Sequence, residues 1–317
     1  MRRRAFVAAL GAAAAGGWAR LVRAAPRGGE VFAERWSWAM GQPVHVMAFA
    51  ASEDAGLEAC AAALAELRRV EARLTLFDQS SDLAELNRRA GRGSMRVDRD
   101  LRRVLELAAG FQRDSGGAFN VAVEPLMRVW GFHRPRRGEP TAAEIAAADA
   151  AVRSAIVRLD GDRVALPSAH TQLDFGGIGV GYGIDRAVAT LRSHGITRAF
   201  LDVSGDCYAL GAPPGRSGWP VSVVDPLHPG ATLAQYSLAD LAIATSANTT
   251  SVVRYGRHVR GHVMDPATGY PANVLLQASV VTRRAVAADA LSKTLLVTGR
   301  EPAGVLRTCR VPLRAPA

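Results

Sequence analysis

The pattern of apolar and polar positions divides the chain into helical and strand-like stretches. Trp36 to Ala50 is apolar and β-prone, broken at Gly41 and Pro43, which predicts two strand segments around a turn holding Met40-Gly41. From Leu57 to Leu76 apolar residues recur at helical spacing, so a long helix follows. Ser80-Ser81 caps a short helix ending near Asn87, and Asp82 and Glu85 suit the positive end of its dipole. Asp98 caps another helix, Leu101 to Arg113, which stops at Ser115-Gly116-Gly117. Ala118 to Phe132 has few charges and no clean period, and reads as a buried connector with a short helix. Arg134 to Pro140 is a basic, proline-rich surface loop, and Thr141 caps an Ala-rich helix. Strands are expected at 156–159 and 164–166, with Asp160-Gly161 at the turn between them.

The centre of the chain is Gln172 to Asp185. A strand-like lead ends at Asp174, five glycines follow between Gly176 and Gly183, and a helix pattern opens at Ile184 with Ala187, Val188 and Leu191. A glycine turn ahead of a helix N-terminus presents free N–H groups that suit a phosphate. The same residues serve equally as a tight turn or a close helix–sheet contact. Tyr182 stands where a dinucleotide fingerprint needs its third glycine, and no Gly-Lys-Ser/Thr follows to make a P-loop. Further strands are expected at 199–206, 208–210, 221–224, 234–238, 242–245, 259–264 and 276–282, with a last helix from Ala285 to Val297. Helices alternating irregularly with runs of strands predict an α/β fold of the mixed α+β kind, in one continuous domain with room for two lobes.

Composition is that of an ordinary globular protein, 49% hydrophobic and 21% charged over 317 residues. The formal charge is +10, but Arg2, Arg3, Arg4, Arg20 and Arg23 fall within residues 1–24, which hold no acid, so the remainder carries +5. That remainder has no basic run interleaved with aromatics, which argues against nucleic acid as a partner. Arg3-Arg4-x-Phe6-Val7, an Ala/Gly-rich stretch and Val22-Arg23-Ala24 resemble a twin-arginine export signal over 1–24, with an ordinary secretory signal or an uncleaved anchor as alternatives. Residues 25–35 read as a polar leader, and a periplasmic or exported location is expected. Cys60, Cys207 and Cys309 have neither a disulfide-framework count nor metal-ligand spacing, and read as small apolar fillers.

Eight separated segments then resemble, in order, the ApbE-type flavin transferases. They are Met40-Gly41; Leu74 to Asn87; Gly117 to Leu126 with Trp130-Gly-Phe132; Leu173-Asp-Phe-Gly-Gly-Ile178 through Asp185; Asp202-Val-Ser-Gly-Asp206; Ala244-Thr-Ser246; His262 to Pro271; and Ala288-Asp-Ala-Leu291. The resemblance implies an ApbE-like fold over 36–317 and an enzyme that moves the FMN half of FAD onto a threonine hydroxyl of a target protein, releasing AMP with the help of Mg2+. The acceptor would be an exported or membrane redox subunit. By the same resemblance, Met40 and Phe77 stand where the family contacts flavin. Ala118, Phe119 and Asn120 match its FAD-binding segment, and Asp174 an FAD-binding carboxylate. Val180 and Val263 complete the expected cofactor set. Gly177 and Asp289 match metal ligands, and His262 is the expected base.

Taken singly, these residues have plainer readings: Met40 and Phe77 as core, Asp174 and Asp289 as caps, His262 with His258 as part of an incomplete zinc spacing, and Thr268-Gly269 as a turn. Two positions depart from the family pattern. Val180 replaces a frequent lysine, and Lys293 stands where a hydroxyl residue usually follows the metal-binding Asp. Either the Lys293 ammonium reaches the pyrophosphate and neutralises charge there, or it points to solvent while Ser292 or Thr294 supplies the ligand. FAD hydrolysis to FMN and AMP, and a non-catalytic FAD-binding maturation role, are the competing functions.

Overall fold

The computed structural model describes residues 29–313; the expected export signal and the first part of the leader lie outside them. The chain opens with strands β1 (Val31–Ala39) and β2 (Gln42–Ala50), helices α1 (Glu53–Leu74) and α2 (Asp82–Arg88), strand β3 (Ser94–Arg96), and helices α3 (Arg99–Asp114), α4 (Glu124–Val129) and α5 (Ala142–Arg153). Strands β4 (Arg158–Asp160) and β5 (Arg163–Ala165) precede helix α6 (Gly179–Ser193). Then come β6 (Arg198–Val203), β7 (Asp206–Leu210), β8 (Trp219–Val224), β9 (Thr232–Leu238), β10 (Leu241–Ala247), β11 (Val252–Tyr255) and β12 (His258–Gly261). Strands β13 (Met264–Asp265), β14 (Tyr270–Pro271) and β15 (Leu275–Thr282), helix α7 (Ala285–Thr298) and strand β16 (Arg307–Pro312) complete it.

Seven strands form the main sheet in the order β1-β2-β6-β7-β10-β15-β16, every neighbouring pair antiparallel. The fold is therefore α+β, with the helices gathered on one side. On that side Val44, Val46 and Ala48 of β2 pack against Leu64 and Leu67 of α1 and Ile184 and Leu191 of α6. On the other side Met47, Phe49 and Phe200 meet Trp219 and Leu238 of the β8–β9 hairpin. Strand β2 is thus covered on both faces, which is why its sequence shows no clean alternation. A second core lies beyond the helices. There Leu83, Leu101, Val104, Phe119, Leu173, Phe175 and Ile178 pack against Val70 of α1, Tyr182 of α6 and Ala290 of α7.

The turn Met40-Gly41 joins β1 to β2 with φ of 56° and 68°, the two positive angles that a two-residue hairpin turn requires. A methionine held there costs on the order of 1 kcal/mol. The Gly41 N–H offsets part of that by donating to Glu71 Oε1 at 3.0 Å. The Met40 side chain packs against both cores.

Helix caps follow the expected residues. Ser81, Asp98 and Thr141 each accept from a backbone N–H of the first turn, and Thr141 forms a reciprocal box with Glu144. The central stretch differs from expectation. Its lead, 172–174, pairs with no strand; the Asn87 amide grips the Leu173 peptide through Nδ2–H to its carbonyl (2.9 Å) and Oδ1 from its N–H (2.8 Å). The helix begins at Gly179, not Ile184, so Gly181 and Gly183 are helical. Their role is close approach. A Cβ at Gly181 would overlap the Ala285 carbonyl oxygen and lie 2.7 Å from the Asp289 Cβ, and one at Gly183 would overlap the end of Met40. Gly181→Ala is therefore expected to destabilise the protein by about 1–3 kcal/mol, a fall of a few degrees in the thermal midpoint. An unchanged midpoint would mean that α6 and α7 part freely. Strand β1 also starts earlier than expected, at Val31, inside the stretch read as a leader. Cys60 and Cys207 are buried and Cys309 half-buried, all free thiols.

Candidate active site

A cavity of about 320 Å3 opens where the second core meets the C-terminal half of the chain. The segment after α3 supplies Ala118, Phe119 and Asn120; the approach to α6 supplies Asp174, Gly176 and Gly177. The link from β12 to β13 supplies His262, Val263 and Met264, and α7 supplies Lys293 and Val297. Phe77 and His133 stand at the rim. The expected residues Phe77, Ala118, Phe119, Asn120, Asp174, Gly177, His262, Val263 and Lys293 thus meet on one space.

Three expected residues do not. Met40 and Val180 pack against the apolar clusters and do not line the cavity. Met40 is drawn inward by the turn geometry and by the room above Gly183, and Val180 by its place on the sheet-facing side of α6. Asp289 is fully buried and lies behind Lys293, not on the wall.

Local hydrogen bonds hold each wall. Ser115 Oγ accepts from the Phe119 N–H (3.0 Å), and Asn120 Oδ1 from the Ala122 N–H (2.8 Å), which folds the 118–122 segment back on itself. The Asp174 N–H donates to the Val121 carbonyl (2.7 Å), and Asp174 Oδ1 accepts from the Gly176 N–H (2.7 Å). The Ala272 N–H donates to the Val263 carbonyl (2.8 Å), and Trp130 Nε1–H to the Gly269 carbonyl (2.9 Å), which seats the loop after His262 on α4. Within that loop Thr268 Oγ1–H donates to Asp265 Oδ2 (3.1 Å), the plain turn reading of Thr268-Gly269.

Burial governs the electrostatics. It pushes the Asp174 carboxyl upward, while His133 and the Gly176 N–H pull it back only in part. Burial first, and the Lys293 ammonium second, push His262 down to about 4, so its imidazole is neutral at pH 7. His262 Nδ1 is buried and makes no hydrogen bond, and the same holds for His133 Nδ1. His133 Nδ1 lies 3.7 Å from Glu124 Oε1 and its Nε2 3.5 Å from Asp174 Oδ2, so that ring is held between two carboxylates at the cavity. Phe77, 76% exposed, turns its ring edge-to-face toward His133 at 5.4 Å and leaves an aromatic surface open at the rim. These features fit a bound nucleotide with a large planar ring.

The floor is an ion cluster. Lys293 Nζ donates to Asp289 Oδ1, one helical turn back on α7. The Gly181 N–H donates to the other Asp289 oxygen at 2.9 Å. Asp206, at the start of β7, accepts from the Thr245 N–H (3.1 Å); burial and the nearby Asp289 carboxylate push it up to about 7. Burial alone would lower the Lys293 pKa, but the Asp289 and Asp206 carboxylates more than offset it and hold the ammonium charged. Ser292 Oγ bonds with Ser246 Oγ (2.7 Å) and the Asp289 carbonyl (2.8 Å), and Thr294 Oγ1 donates to the Ala290 carbonyl (3.2 Å). Lys293 therefore does not point to solvent, and neither hydroxyl neighbour takes its place. The Asp289 carboxylate is already paired with the Lys293 cation, and among the described residues no group of three or more His, Cys, Asp or Glu side chains gathers for a metal, so the site fits a resident ammonium better than an added divalent cation.

His133 and Asp206 were not singled out as site residues from the sequence. His133 directly follows the Trp130-Gly-Phe132 segment, and Asp206 closes the Asp202-to-Asp206 segment, so proximity to those segments was the available signal.

Comparisons with known proteins bear on the family and the fold. The sequence model of the ApbE family matches residues 40–310. The FAD:protein FMN transferase of Treponema pallidum (strain Nichols) is 32% identical over 260 residues, covering 74% of this chain and 70% of the relative. That of Klebsiella pneumoniae (strain 342) is 31% identical over 279 residues, covering 83% and 81%. Among solved structures, the ApbE protein of Thermotoga maritima superposes with a TM-score of 0.81 at 24% identity, over 89% of this chain and 94% of that one. The apo flavinyl transferase ApbE of Pseudomonas stutzeri gives 0.75 at 24% identity, over 89% and 95%. In sequence over nearly all of its described length, and in fold, the chain belongs to the ApbE family.

Proposed function

We infer that this chain is an FAD:protein FMN transferase. The observation that carries the reading is the convergence of Gly177, His262 and Lys293 on one cavity in a member of the ApbE family. The acceptor hydroxyl, proposed to be a threonine of an exported or membrane protein, attacks the FMN phosphorus of FAD. A new P–O bond forms, the diphosphate P–O bond breaks, and AMP leaves with the electron pair. The neutral His262 imidazole takes the hydroxyl proton. The Lys293 ammonium neutralises charge on the diphosphate, and the open ring of Phe77 gives the isoalloxazine a surface to stack on. The resemblance implies Mg2+ at Gly177 and Asp289; with the Lys293 ammonium already paired with Asp289, charge neutralisation falls to Lys293. Export of the chain across a membrane by residues 1–24 is part of the same proposal.

The test is incubation with FAD and a candidate acceptor, read by in-gel flavin fluorescence and the mass of the modified peptide. A flavin-labelled threonine is expected. Free FMN with no labelled acceptor would make the chain a hydrolase, and bound FAD with no product a maturation partner.

A further inference from the structure

We propose that Lys293 is the resident cation of this site, so that the chain binds the diphosphate of FAD and transfers FMN without a divalent metal. The proposal rests on the transferase reading above and concerns what balances the charge there. Three observations carry it.

The first is occupancy. Asp289 has two oxygens; the Gly181 N–H holds one and the Lys293 ammonium the other. Each oxygen keeps a second lone pair, but a divalent ion brought to Asp289 from the cavity would meet the Lys293 ammonium already in contact with Oδ1, and the two cations would repel. The Gly181 N–H belongs to the first turn of α6, fixed against α7 with no space for even a methyl group.

The second is direction. The four-residue spacing puts Lys293 and Asp289 on one face of α7, and the α7 start is pinned by Asp185 Oδ1, which accepts from the Ala285 N–H at 2.7 Å. The helix cannot turn to offer Ser292 or Thr294 instead, and both hydroxyls already have partners. The Lys293 methylenes run beside Gly177: a Cβ placed there would lie 3.9 Å from both Cδ and Cε. The Lys293 side chain thus runs past Gly177 to reach Asp289.

The third is remaining capacity. An ammonium has three N–H donors. One is spent on Asp289, and the side chain stays 18% exposed at the cavity, so donors remain for phosphate oxygens. A point charge on a flexible stem suits that role.

The test uses the full chain, freed of flavin and divalent ions. Mn2+ is titrated into it and followed by electron paramagnetic resonance, with FAD affinity and FMN transfer measured in EDTA and in Mg2+. For the wild type, no stoichiometric Mn2+ uptake is expected, and FAD affinity and transfer rate should match in the two buffers. Lys293→Thr should take up Mn2+, become EDTA-sensitive, and in EDTA lose about 10- to 100-fold in FAD affinity, as a missing hydrogen bond to a charged group does. Stoichiometric Mn2+ binding by the wild type, or FAD binding that collapses in EDTA, overturns the proposal. The Mn2+ and FAD arms need no acceptor, so absence of transfer in every buffer would refute the transferase reading and still leave the cation assignment decided. A folding defect in Lys293→Thr is checked with Lys293→Met, which keeps the stem and should lose FAD affinity without gaining Mn2+.

Discussion

His262→Ala lowers FMN transfer by about 10²- to 10⁴-fold, the range for loss of a positioned general base, while FAD stays bound. The imidazole lines the cavity and is neutral at working pH. Its effect should therefore appear in kcat and not in the affinity for FAD. The pH dependence carries the same assignment. Burial and the Lys293 ammonium disfavour the imidazolium and push His262 from its usual 6.5 to about 4. The acid limb of kcat/KM governed by this group should then fall near pH 4. A limb at 6.5 would place the base elsewhere. The sign for stability is the same: the unfolded chain takes up the proton near 6.5 and the folded one only near 4. The contribution of His262 is thus present above 6.5 and is lost as pH falls toward 4.

The second large effect is on stability. Asp289→Ala should cost about 3–5 kcal/mol, the range for removing one partner of a buried ion pair. It leaves the Lys293 ammonium short of a carboxylate and the Gly181 N–H without its acceptor. Asp206 still faces the ammonium, which favours the lower end of that range. Urea unfolding measures it. A loss below about 1 kcal/mol would show that the Gly181–Asp289 contact does not hold α6 to α7. Pairing the change with Lys293→Met should recover part of the loss, because the stranded cation goes with it.

Much of this molecule was legible in its residues. The caps at Ser81, Asp98 and Thr141, the turn at Met40-Gly41 and the last helix from Ala285 follow from local chemistry that tertiary packing did not overrule. Strands β3, β11, β14 and β16 fall outside the expected set, since short or half-exposed strands carry little alternation. The start of α6 was misplaced because glycine is a poor helix former when read alone. The α6–α7 crossing shows why Gly181 must lack a side chain, and the packing of Met40 and α1 against α6 shows the same for Gly183. For the site, resemblance identified nine residues that line the cavity, but not that Met40 and Val180 face inward. His133 and Asp206 matter through partners far off in sequence, and spacing cannot report such pairs. Asp289 and Lys293 are one turn apart, a spacing visible in advance, but that the ammonium stands between the carboxylate and the cavity appears only in the structure.

The strand order also bears on synthesis at the ribosome. Strand β10 has β7 on one side and, on the other, β15, which is itself flanked by β16 near the end of the described chain. The helix bearing the ion cluster lies between those two late strands. A nascent chain emerging amino end first therefore exposes an unfinished sheet and no working floor until the helix and strands that follow β10 have been translated.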